Sequence, residues 1–166
     1  TMTYDTKGRV TSQTSPAGGT TDTVYDANGN VLSVTGAANN DANQRPVTTY
    51  AYDSAGRVTS VTDPAGKATS YTYDALGRPA TVTLPKPTAG SPLNFTTTYA
   101  YDQYDATSGL VFNHVTDPNG KLTKMGYDQF GRLRKTIDAL GNATTYAYTR
   151  SRLTSITDAN GNVTGY

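Results

Sequence analysis

Residues 52–66 read YDSAGRVTSVTDPAG, and residues 73–78 resume the phrase as YDALGR. Tyr-Asp-x-x-Gly-Arg thus returns after 21 residues, with Asp-Pro-x-Gly between the two copies. A catalytic signature has no reason to recur, whereas a unit that stacks on copies of itself must. The tyrosine of the phrase falls at Tyr4, Tyr25, Tyr52, Tyr73, Tyr101, Tyr127 and Tyr148, with spacings of 21, 27, 21, 28, 26 and 21. The longer intervals hold insertions at 36–47 (GAANNDANQRPV), 85–92 (PKPTAGSP) and 103–109 (QYDATSG). These are rich in Gly, Pro, Asn and Asp, as loops are. The basic unit is therefore 21 residues, present in nearly seven copies.

Each unit carries two turns. The first opens at Asp5, Asp26, Asp53, Asp74 or Asp128 and reaches Gly8, Gly29, Gly56, Gly77 or Gly131. The second opens at Ser15, Asp63, Asp117, Asp138 or Asp158 and reaches Gly18, Gly66, Gly120, Gly141 or Gly161. Asp or Ser first, Pro often second and Gly fourth is the chemistry of a type I turn. The Asp side chain accepts a backbone N–H within the turn. The Gly tolerates the left-handed conformation that joins the turn to a hairpin through a bulge. Between turns lie short runs such as RVTSVT and KATSYTY, too short for helices and rich in Val, Thr and Tyr. The spacing predicts an all-β chain of stacked antiparallel hairpins, about fourteen strands at two per unit. At about 4.8 Å per strand that is roughly 65–70 Å of sheet, wide enough to twist and curl.

Composition agrees. Hydrophobic residues make up 35 % of the 166, charged residues 16 %, and net charge is +1. Typical globular domains hold about 25 % charged residues. Low apolar content with high net charge marks disorder, but here the charge is near zero and Tyr numbers 13. An ordered, thinly cored β protein is expected. The weak charge excludes an electrostatic footprint for nucleic acid. No apolar run approaches a membrane span, and no cysteine is present for disulfides or thiolate metal sites. Tyr71 and Tyr73 lie two apart and so share a face, as do Tyr50/Tyr52, Tyr99/Tyr101 and Tyr146/Tyr148. Rows of tyrosine across the sheet are the expected substitute for a thick core. Arg9, Arg57, Arg78 and Arg132 follow the turn Gly, placed either to pair with the turn Asp or to lie over a neighbouring Tyr ring.

Tyr-Asp-x-x-Gly-Arg with a mid-unit Asp-Pro-x-Gly resembles the YD repeat of rearrangement-hotspot (Rhs) proteins. That family includes bacterial toxin-complex shells, wall-associated polymorphic toxins and teneurin adhesion proteins. The resemblance covers essentially the whole chain. It implies hairpins wound into a hollow β-spiral, shell or tube, on a large secreted or cell-surface protein, with bacterial toxin relatives enclosing a C-terminal cargo. Tyr52–Arg57 and Tyr127–Arg132 match fully, whereas Asn30 replaces Arg in the second unit. Tyr101-Asp102 leads into an insertion without Gly-Arg, and Tyr148–Arg152 has lost Asp and Gly and is one residue shorter. Altered turns on the same fold are expected at these places.

Chemistry finds less support. All 13 acidic residues are Asp, and all but Asp22, Asp41 and Asp105 sit in a repeat turn or a Tyr-Asp phrase. His114, the one histidine, aligns with Ser60 in a strand interior. DANGN at Asp26 and Asp158 begins like a calcium loop, but Val31 or Val163 stands where an EF-hand needs Gly. Asn94-Phe95-Thr96, Asn142-Ala143-Thr144 and Asn162-Val163-Thr164 fit the glycosylation sequon, relevant only to a eukaryotic secreted protein. The Asp-Pro pairs run on into Lys67 and Lys121 as ordinary turns, not as the cleavage motif of toxin relatives. The chain is expected to be one YD-repeat array over 1–166, a window of a longer chain, with neither catalysis nor cofactor. Its expected partners are further YD repeats of the same chain or identical subunits. An enclosed toxin cargo and surface glycans stacked on exposed Tyr rows are the alternatives.

Overall fold

The structure, a computed structural model, describes residues 1–38, 44–87 and 95–166. Fifteen strands are described: β1 (Met2–Tyr4), β2 (Val10–Thr14), β3 (Thr20–Tyr25), β4 (Val31–Thr35), β5 (Val47–Tyr52), β6 (Val58–Thr62), β7 (Ala68–Tyr73), β8 (Pro79–Thr83), β9 (Thr96–Asp105), β10 (Leu110–Thr116), β11 (Leu122–Tyr127), β12 (Leu133–Ile137), β13 (Ala143–Thr149), β14 (Arg152–Thr157) and β15 (Val163–Gly165). The chain forms two compact units, Thr1–Thr72 with Thr83–Ser91 and Tyr73–Val82 with Pro92–Tyr166. Within each, neighbouring strands are consecutive in sequence and antiparallel, so the expected hairpin succession holds. No helix occurs among the described residues.

One turn geometry serves both positions of the unit. At each of the ten turns opened by Asp5, Ser15, Asp26, Asp53, Asp63, Asp74, Asp117, Asp128, Asp138 and Asp158, the Gly three residues on donates back to the opening carbonyl, at 2.9–3.3 Å. The opening N–H donates to the carbonyl four residues on, at 2.8–3.0 Å. Those Gly residues have φ between 74° and 101°, which a side chain resists. This is a type I turn closed by a glycine bulge, as the sequence predicts.

A second bulge follows each Tyr-Asp turn that can be traced. Thr11, Leu32, Thr59, Arg134 and Thr154 are the extra residues, each on the strand after the turn. The bulge resets side-chain alternation. Val58 and Val61, three apart, thereby pair with Tyr52 and Tyr50 on one face.

Tyrosine rows form with an interruption. In β5, half-buried Thr48, Tyr50 and Tyr52 alternate with exposed Val47, Thr49 and Ala51, and β7 repeats this with Thr69, Tyr71 and Tyr73. Tyr50 stands opposite Val61, whose other neighbour is Thr69. Tyr146 likewise meets Ile156 and then Thr164. Each row runs aromatic, branched aliphatic, threonine, because every Tyr-bearing strand is followed by one from the Val-rich half of the unit. Such cross-strand pairs are the unit of sheet stabilisation.

The core is thin, as the composition implies. Phe112, at 5 % exposure, is the one buried large side chain among the described residues. Its ring lies over Gly126, its direct cross-strand partner.

Candidate functional site

What the repeated residues build is a clasp from one unit to the next. In the turn, the Asp5 carboxylate accepts the backbone N–H groups of Lys7 and Arg9 through Oδ1, each at 2.9 Å, and the Arg9 Nε–H through Oδ2 at 2.6 Å. Asp53 with Arg57, Asp74 with Arg78 and Asp128 with Arg132 repeat this at 2.7, 2.8 and 2.9 Å. The guanidinium so held is planar and fixed in orientation, and those of Arg9, Arg78 and Arg132 face the next repeat. Arg9 lies 4.5 Å from the Tyr25 ring centroid and donates to the Asp26 carbonyl at 3.1 Å. Arg78 lies 4.2 Å from the Tyr101 ring and reaches the Asp102 carboxylate at 2.5 Å, and Arg132 lies 5.3 Å from the Tyr148 ring. The Tyr hydroxyl completes the clasp by donating back to the preceding unit. Tyr25 donates to the Val10 carbonyl at 3.0 Å, Tyr52 to Val31 at 2.8 Å and Tyr101 to Pro79 at 2.8 Å. Both sequence-level roles for Arg are therefore filled at once.

Electrostatics follow from these contacts. The carboxyls of Asp5 and Asp53 are held below the usual range, foremost by the Arg9 and Arg57 backbone N–H groups. For Asp128 the Arg132 side chain leads. For Asp26, Asp138 and Asp158 the leading cause is a neutral one, the side-chain amide of Asn30, Asn142 or Asn162. Desolvation works against the lowering at Asp74, where Arg78 prevails. The Asn substitution thus keeps the carboxylate contact, at 2.8 Å between Asn30 Nδ2 and Asp26 Oδ2. Lys67 and Lys121 keep only the backbone half, at 2.8 Å to Asp63 and Asp117.

The departures resolve as altered turns. Asp102 opens no turn: it adopts φ 57° at a bulge opposite Asn113, and β9 runs on to Asp105. Asp105 takes over as the turn acceptor, receiving the Thr107 N–H at 3.0 Å and the Ser108 hydroxyl at 2.7 Å, and Gly109 closes the loop. At Tyr148 the strand pair closes by a two-residue loop, with Thr149 facing Arg152 and Arg150 at φ 55°.

Some functional residues escaped the sequence reading. Arg45, within the first insertion, donates to the carbonyls of Gly36 at 2.9 Å, Thr20 at 2.7 Å and Thr35 at 3.2 Å, and pairs with Asp22 at 2.5 Å. It fastens the insertion to the strand ends. Its only sequence signal is being a cation inside a polar insertion. Asp41 and Asn94 lie outside the described residues. His114 sits in a strand interior opposite Lys124, as aligned, with its pKa lowered first by burial and then by the Lys124 charge. Among the described residues no cluster of His, Cys or Asp able to hold a metal occurs. Among the described residues no helix is long and apolar enough to cross a membrane.

Fold and clasp together define a β-hairpin repeat array whose signature residues act between units. The chain belongs to the RHS Repeat family, whose model matches residues 4–41, 40–68, 52–89, 104–143 and 127–163. Solved structures with similar folds include TcdB2-TccC3 without its hypervariable C-terminal region, with TM-score 0.61 and 18 % identity over 91 % of this chain. TcdB2-TccC3-TEV follows at 0.57 and 17 % over 98 %, and the Photorhabdus luminescens Tc holotoxin pore with a TccC3 mutation at 0.51 and 14 % over 95 %. The chain spans only 8 % to 11 % of the length of these chains. No curated protein matches.

Proposed function

We propose that this chain is a wall segment of a larger hollow β-shell or tube on a secreted or cell-surface protein, with no catalysis of its own. The carrying observation is the clasp: Arg9, Arg78 and Arg132 each hold the Tyr ring of the following unit, so the recurring signature residues are used up in repeat-to-repeat packing. The thin core supports it, since hairpins burying one large side chain among those described depend on their neighbours. The partners of each repeat are the repeats beside it. Electron cryo-microscopy of the full-length parent protein tests this. A closed particle with density in its lumen gives an encapsulating shell around a cargo, and a hollow filament gives a structural tube. A compact enzyme-like particle in which these hairpins enclose no space sinks the proposal.

A further inference from the structure

We infer that the face of β10–β12 beneath the β9–β10 hairpin is a docking surface for an extended acidic peptide with carboxylates at alternate positions. It rests on a substitution pattern confined to one place. Three residues before three of the five mid-unit turns stands a serine, Ser12, Ser60 or Ser155, with cross-strand partners Asp22, Ser70 and Gly165. The corresponding pairs in β10–β13 are His114 with Lys124 and Lys135 with Thr145. The fold is satisfied by serine here, so the cations answer no requirement of the strand. They bring a cost, because Lys124 faces His114 directly and like charges opposite one another destabilise a sheet. Burial and Lys124 keep His114 neutral, which limits that cost.

The site has walls. Phe112 lies over Gly126 as its apolar floor. The long hairpin forms one side: Gln103, Tyr104, Asp105 and Thr107 bound a cleft with His114 and Lys124, and Ser108 and Leu110 bound an adjoining one with Arg134 and Lys135. The ammonium groups of Lys124 and Lys135 have no ion-pair partner among the described residues, whereas Asp105 is occupied within its own turn and Asp128 by Arg132. The cleft is thus a track with net positive charge, bordered by Tyr104 at 68 % exposure. Lys124 pairs with Ile137 and Gly126 with Lys135, which makes the two lysines diagonal neighbours. That separation, roughly 7 Å, matches alternate residues of an extended peptide at about 3.3 Å per residue.

The test uses the whole chain and a nine-residue peptide alternating Glu and Thr, read by fluorescence polarisation at low salt. The expected result is saturable binding, weaker for a peptide of the same composition with its Glu residues contiguous. The double variant Lys124→Gln/Lys135→Gln is expected to lose about tenfold or more in affinity, and Lys124→Arg/Lys135→Arg to keep it. Lys67→Gln/Lys121→Gln removes equal charge at exposed turns and is expected to change little. Equal loss from both Gln pairs overturns the inference as unspecific charge attraction. So does indifference to Glu spacing, or binding of a sulfated polysaccharide that outcompetes the peptide. Circular dichroism melts separate loss of binding from loss of fold, and a variant pair that binds normally when folded also overturns it.

Discussion

Gly126→Ala reverses the usual rule for glycine in a strand. Replacing a mid-strand Gly by Ala ordinarily gains about 0.5–1 kcal/mol through reduced backbone entropy. Here an added Cβ would lie 2.6 Å from Cε1 and 2.8 Å from Cζ of Phe112. Carbon atoms rest at about 3.5–4.0 Å, so the ring must retreat by roughly 1 Å. Phe112 is the one buried large hydrophobic among the described residues, at 5 % exposure, so a ring that retreats gives up packing. Full expulsion of a Phe would expose about 150–250 Å², an upper bound of about 4–6 kcal/mol. Partial displacement puts the cost in the overpacking range, about 1–3 kcal/mol. Urea unfolding followed by far-ultraviolet circular dichroism reads the difference as a lowered midpoint at unchanged slope. The double variant Phe112→Leu/Gly126→Ala should show positive coupling, since the smaller side chain makes room. A Gly126→Ala chain more stable than the parent would refute the packing and leave only the backbone effect.

Four further outcomes concern the turns, the clasp and His114. Gly66→Ala meets no atom within 4 Å but sits at φ 75°, so its cost of about 1–2 kcal/mol is purely conformational and should appear in a thermal melt. Tyr52→Phe removes the hydroxyl bond to Val31 and should cost about 0.5–1.5 kcal/mol in the same melt. Asp5, Asp53 and Asp128 have folded pKa values below their unfolded ones, so their stabilisation is present above the unfolded value, about 3.9, and is lost as pH falls through the folded values. His114, also lowered, adds a smaller loss beginning below about pH 6.5, and His114→Ser should flatten the pH-dependence of the melting midpoint there.

The turns were legible in the sequence because everything that makes them is local. Asp53, Gly56 and Arg57 lie within five residues, and their hydrogen bonds close inside that span. The period was legible for the same reason. Partners of high sequence separation were not. Nothing near Arg9 announces that its guanidinium stacks on Tyr25 while still bound to Asp5. Phe112 and Gly126 each look unremarkable alone, and only the register places one over the other. Asp105 read as a leftover acid, because the bulge at Asp102 that lengthens β9 has no Gly or Pro to mark it. Asn30 read as a departure from the motif, and only the structure shows its amide on the Oδ2 atom that Arg Nε uses elsewhere.

The most direct measurement of the central claim is unfolding free energy as repeats are removed one at a time from either end. If stability resides in clasps between units, it falls stepwise with each deletion, and Arg9→Ala and Tyr25→Leu, which removes the ring Arg9 lies over, are coupled in the intact chain. Stability independent of repeat number, with no coupling between Arg9 and Tyr25, would contradict it.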